Sequence, residues 1–253
     1  MKHVLRSSAS PISRNFTRLI GTAMLAAAAC VAAPAAVADT VLDFEDLAPT
    51  MLGYQQSFEH KGYRLTATLP GEDNLPGDLV GGIFPGDAAS CLGMRCPLGV
   101  QSEAYYAGLN DGALVIESLG GTGVQVHAFN ASFIGAHDDL DYPAVAGLLE
   151  VRGYLADGST MSRQYDLPGL FGNDFFMRPF ETDSAFAATT FTQVAIFAYS
   201  CGFNGICEAF STGQGQFGID NIVTEISAVP EPATWLMLLA GLGAVTTLAR
   251  RRA

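Results

Sequence analysis

The chain is poor in basic side chains: 13 Lys and Arg stand against 25 Asp and Glu in 253 residues. Seven of the 13 (Lys2, Arg6, Arg14, Arg18, Arg250, Arg251 and Arg252) lie in the terminal segments. Between Asp39 and Val229 six basic residues face 24 acidic ones, a net charge of about −18. A surface this acidic repels phosphate, which excludes nucleic acid as a partner, and it repels anionic lipid headgroups. It attracts divalent cations instead.

Other absences narrow the chemistry. No long, charged stretch of 3.6-residue periodicity is present, so a helical architecture is excluded. There is no Gly-x-Ser-x-Gly elbow, no His-Glu-x-x-His helix and no phosphate-binding glycine loop. Gly120-Gly121-Thr122-Gly123 is followed by neither a basic residue nor a helix, and reads as a turn. Cys-x-x-Cys is missing, which removes a redox centre. A glycosidase needs only two placed carboxylates, so a hydrolase stays open as the alternative to a non-enzyme.

What is present reads as β. Short apolar or alternating segments recur at Val41–Phe44, Gly62–Ala67, Ala113–Glu117, Val124–Phe133, Leu148–Leu155, Met161–Leu167, Phe191–Tyr199 and Phe217–Ile226. Ala156-Asp157-Gly158-Ser159 is a hairpin turn of the Asp-Gly kind. Many short strands separated by Gly, Asp and Pro predict an all-β, antiparallel two-sheet sandwich of jelly-roll type over residues 39–228. Residues 70–112 are glycine-rich and predict long loops at one end.

The ends predict export. Lys2, Arg6, Arg14 and Arg18 precede an apolar core at Leu19–Ala33, and Ala36-Val37-Ala38 places small residues at a signal peptidase site. Residues 1–38 are therefore expected to be a cleaved signal peptide, with maturation at Asp39. At the other end, Val229-Pro230-Glu231-Pro232 leads into uncharged Ala233–Ala249 and stops at Arg250-Arg251-Arg252. Prolines stiffen the approach, seventeen uncharged residues predict one short transmembrane helix, and the arginines resist translocation.

This tail, residues 229–253, resembles the PEP-CTERM sorting signal of Gram-negative bacteria. The match is residue by residue at Pro230, Glu231 and Pro232 and by pattern through Arg250, Arg251 and Arg252. The resemblance implies an exosortase as processing partner, membrane attachment through the helix before processing, and then the cell surface or extracellular space. It also implies association with exopolysaccharide, biofilm or floc. A non-catalytic surface or matrix protein that binds extracellular polysaccharide is the expected function. A secreted polysaccharide hydrolase is the alternative.

With Cys30 in the signal peptide, four cysteines remain: Cys91, Cys96, Cys201 and Cys207. An even count in an exported domain reads as disulfides, with three connectivities open. The two local bridges are favoured, because each closes a glycine-containing loop. Zinc is the weaker reading, since the spacings differ from the common knuckle.

Phe44-Glu45-Asp46 near the first strand and Asp220 on the last resemble the jelly-roll carbohydrate-binding modules, in which carboxylates at such positions help hold a structural calcium ion. That resemblance implies calcium at Glu45, Asp46 and Asp220; a solvated turn is the equal alternative. His137-Asp138-Asp139-Leu140-Asp141 reads as a charged loop rather than a metal site. Tyr105, Tyr106, Phe171, Phe175 and Phe176 are candidate sugar platforms, although core packing is favoured for the phenylalanines. His127, on an alternating strand, is read as packed or surface-facing.

Overall fold

The computed structural model describes residues 39–70, 75, 77–87, 93–100, 103–136 and 141–225. The expected signal peptide, the tail with its expected helix, Cys91 and His137–Leu140 lie outside the described residues. The described residues form one compact unit.

Alternation of apolar and polar residues sets the strands. They are β1 (Asp39–Leu42), β2 (Thr50–Gly53), β3 (Ser57–His60), β4 (Tyr63–Thr68), β5 (Leu79–Pro85), β6 (Met94–Arg95), β7 (Ala104–Gly108) and β8 (Ala113–Ser118). They continue as β9 (Gln125–Phe133), β10 (Gly135–Ala136), β11 (Val145–Tyr154), β12 (Thr160–Pro168), β13 (Arg178–Glu181), β14 (Gln193–Cys201), β15 (Cys207–Glu208) and β16 (Phe217–Glu225). A single helical turn, α1 (Ser184–Ala187), is capped by Asp183, whose carboxylate accepts from Ala185 N and Phe186 N.

Fourteen of the strands build two antiparallel seven-stranded sheets, and β10 pairs with β6 in a separate two-stranded one. The first runs β13-β9-β16-β7-β5-β2, with β1 pairing along β16; the second runs β12-β11-β14-β8-β4-β3, with β15 on β14. Consider β7, β8, β9, β11, β12, β13, β14 and β16 as strands one to eight. The first sheet then holds β7-β16-β9-β13, or one-eight-three-six, and the second holds β8-β14-β11-β12, or two-seven-four-five. The chain thus crosses repeatedly between sheets, and its last strand lies centrally in the first.

Inward residues of both sheets form one core, in which Phe44, Tyr63, Leu65, Phe129, Leu149, Val151, Phe191, Ile196, Phe217 and Ile219 are buried. Each such side chain contributes roughly 1.5–3 kcal/mol by leaving water. A second apolar layer, including Phe84, Tyr105, Ile134 and Met177, covers part of the outside of the first sheet.

The stretch expected as loops, residues 70–112, instead contributes β5, β6 and β7. Gly81, Gly82 and Gly108, on β5 and β7, are there for packing, whereas Gly77, Gly93 and Gly99 take positive φ between the strands. A Cβ on Gly81 would lie 2.4 Å from the Tyr106 hydroxyl, so the neighbouring strand's ring requires glycine beneath it. The same packing corrects the platform reading of Tyr105 and Tyr106, which are buried in β7. Phe175 is core as favoured, whereas Phe171 is exposed.

The 155–159 hairpin forms as expected. Leu155 N donates to Ser159 O, and Asp157 Oδ1 accepts from Ser159 N. Cys201 and Cys207 are bridged across the paired ends of β14 and β15. Cys96 is also disulfide-bonded.

Candidate functional site

On the second sheet, Leu149 and Val151 of β11 point to the core, which turns Glu150 and Arg152 outward. Ile196 and Ala198 of β14 do the same for Phe197 and Tyr199. Register then places Glu150 opposite Phe197 on one side and Gln164 of β12 on the other. Leu148 lies between Tyr199 and Asp166 in the adjacent row.

Glu150 is 3 % exposed although it lies on an outer face. Its Oε2 accepts from Tyr199 Oη at 2.8 Å and Gln164 Nε2 at 3.1 Å. Its Oε1 accepts from Arg152 Nε at 2.8 Å. Burial opposes the charged form, but the bonds from Tyr199, Gln164 and Arg152 outweigh it and hold the carboxyl below its ordinary value. The guanidinium also lies over the Phe197 ring at 5.1 Å. Phe197 in turn stands 5.7 Å from Tyr199 and 4.9 Å from Phe210, ring centre to ring centre. Tyr199 and Phe210 are half-buried, Gln164 is exposed. The result is a fixed polar network, charge-compensated within itself, beside partly exposed aromatic rings.

The outer face continues across the sheet to Arg64 of β4 and Glu117 of β8, which are register partners. There a cleft of about 500 Å³ opens, lined also by Thr122, Thr190 and Thr192. That volume is within the range of small-ligand sites.

The expected calcium residues fall out differently. Glu45 and Asp46 are exposed, and Asp220 is fully buried on β16, accepting from Asn221 Nδ2 at 3.0 Å. Among the described residues, metal-competent groups form at Asp43, Asp46 and His60 and at Asp39, His127 and Glu225. Neither includes Glu45 or Asp220. His60 Nδ1 lies 3.3 Å from Asp46 Oδ1, and Nε2 lies 3.8 Å from Asp43 Oδ1. The imidazole is buried and stacked on Phe44. Burial pushes its pKa down more than Asp46 and Asp43 raise it. His127 is half-buried and pairs with Glu225 at 3.3 Å.

Two buried acids had no distinct signal in the sequence. Glu150 is one among 24; only its outward phase on β11 was readable. Asp111 is 2 % exposed and accepts from Thr212 N, Gly213 N and Gly215 N, roughly a hundred residues later.

Residues 228–253 match the PEP-CTERM protein-sorting motif. The motif implies an exported protein processed at the membrane by an exosortase. Among the described residues no helix is long and apolar enough to cross a membrane. No curated protein sequence matches the chain. Solved structures similar to it include a DUF4465 family protein from Bacteroides caccae, with 12% identity and a TM-score of 0.43, covering 76% of this chain and 100% of that one. A DUF4465 family protein from Bacteroides ovatus has 9% identity and a TM-score of 0.38, covering 75% and 99%. TmCBM61 in complex with β-1,4-galactotriose has 10% identity and a TM-score of 0.31, covering 72% and 92%.

Proposed function

We propose that this is a cell-surface or extracellular-matrix protein whose sandwich binds neutral polysaccharide, without catalysis, on the outer face of β12, β11 and β14. The sorting motif supports the location, and the one-eight-three-six and two-seven-four-five interleaving supports a jelly-roll type of sandwich. The observation that carries the binding reading is the Glu150 network. Its donors hold the carboxylate so that Tyr199, Gln164 and Arg152 keep fixed positions beside the Tyr199 and Phe210 rings. Sugars are recognised by that combination, with C–H faces on aromatic rings and hydroxyls on rigid polar groups. The internal charge compensation and the acidic surroundings favour a neutral glycan over an anionic one.

Hydrolysis would ask something else of the site. A general acid needs a raised pKa and a partner carboxylate across the scissile bond. Glu150 is shifted the other way, and its oxygens are already engaged. The test is a glycan array on residues 39–228, run beside a reducing-sugar release assay. Saturable binding of neutral glycans without release, weakened roughly tenfold by Tyr199→Ala, is expected from the loss of about 1.4 kcal/mol of ring and hydroxyl contact. Turnover abolished by a single carboxylate substitution would replace binding with catalysis.

A further inference from the structure

The β3–β4 hairpin turns through Lys61 and Gly62, both at positive φ, and so aims His60 back toward the loop after β1. That loop carries Asp43 and Asp46 on either side of Phe44, itself left-handed at φ 58°. Two carboxylates therefore face the two nitrogens of one imidazole from a different sheet. A neutral imidazole has one N–H. Whichever nitrogen carries it, the other points a lone pair at an anion. His60 Nε2 is buried and has no hydrogen-bond partner, in a side chain that is 2% exposed. A buried acceptor facing an acceptor is costly unless a cation lies between them.

We propose that Asp43, Asp46 and His60 bind a divalent transition ion of the zinc class, which clasps the loop after the first strand to the edge hairpin of the other sheet. An imidazole offers a single ion one nitrogen, so the carboxylate facing the other nitrogen turns to join it. One atom from each of the three already lies within 4.8 Å of the other two, and side-chain rotation closes them to ligands about 2.0–2.2 Å from a common ion. The donor set selects the metal. Imidazole nitrogen suits zinc-class ions, whereas calcium takes six to eight oxygens, and only two carboxylates are at hand. Without metal, Lys61 serves as the cation: its Nζ donates to Asp43 Oδ1 at 2.6 Å and to Val41 O at 3.0 Å. Its side chain is one-third exposed and can swing into water when the ion enters.

The test is titration of the chelator-treated chain with zinc chloride and, separately, calcium chloride, read by calorimetry and by melting temperature. One equivalent of zinc is expected to bind and raise the melting temperature, with no effect of calcium at the same concentration. Asp46→Asn, at an exposed position that leaves the core intact, should weaken zinc roughly tenfold or more, comparable to lost support at known metal sites. Lys61→Met should tighten it by removing the competing ammonium. His127→Gln, in the other acidic group, should change nothing. No saturable zinc binding, equal binding by Asp46→Asn, or loss of binding through His127→Gln would each overturn the site.

Discussion

Arg152 and Glu150 stand two residues apart on one face of β11, and the guanidinium meets Glu150 Oε1 through Nε at 2.8 Å and Nη2 at 2.6 Å. The pair neutralises itself, and Tyr199 and Gln164 take the other carboxylate oxygen. A face of this kind presents oriented dipoles without net charge. That property separates it from the acidic surface around it.

Glu150→Gln is expected to destabilise the domain by about 2 kcal/mol in urea denaturation. Removing one partner of a buried pair ordinarily costs about 3–5 kcal/mol, and Arg152 keeps 36% of its side chain in water, which lowers the cost. The pH dependence follows in sign. Folding lowers the Glu150 pKa below 4.5, so its contribution is complete above that pH and is lost as pH falls through the lower folded value. Acid denaturation should therefore begin less steeply in Glu150→Gln than in the parent.

Asp111 offers a sharper loss. Its carboxylate holds Thr212 N, Gly213 N and Gly215 N at 3.2, 2.8 and 2.6 Å. Asp111→Ala leaves three backbone donors without that acceptor, each worth about 1–3 kcal/mol when buried and unmade. Water reaches the exposed Thr212, so about 3 kcal/mol in total is expected by chemical denaturation. Amide exchange in residues 212–215 should quicken most.

The strands β9, β11, β12 and β16 were legible within a few residues as short apolar or alternating segments between turn residues. β5 and β7 were not. Gly81 and Gly82 look like turn residues until the Tyr106 ring is placed above Gly81, a contact fixed only by tertiary packing. The Cys201–Cys207 bridge was readable from spacing and compartment. Glu150 could be read as outward-facing but not as buried, since Tyr199 lies 49 residues away in the chain. His60 was missed although Lys61-Gly62 marks a hairpin, because its partners Asp43 and Asp46 come from a loop of the other sheet.

The disulfide should matter to the face as well as to stability. Cys201 and Cys207 are six residues apart and join β14 to β15, just beyond Tyr199 and before Phe210. A Cys201→Ser, Cys207→Ser double variant is expected to lose about 2 kcal/mol, the chain-entropy value for so short a loop. Reduction of the parent also opens the bridge at Cys96, so it should cost at least that much in thermal denaturation. Glycan binding should weaken with it, since Phe210 then loses the covalent support that holds its segment against Phe197.

Asp183 provides a control away from the proposed site. It caps α1 through Ala185 N and Phe186 N, and it pairs with Arg163 of the edge strand β12. Those bonds, led by the one from Arg163, hold its pKa at about 2, below the ordinary 3.8. Its contribution is therefore present above pH 3.8 and disappears as pH falls through about 2. Asp183→Asn keeps a capping oxygen but gives up the charge. Melting temperatures of parent and variant should thus differ most above pH 4 and converge near pH 2, while glycan binding at neutral pH stays unchanged. A variant that lost binding as well would show that β12 transmits changes at its Arg163 end to Gln164, and would extend the proposed face to that edge.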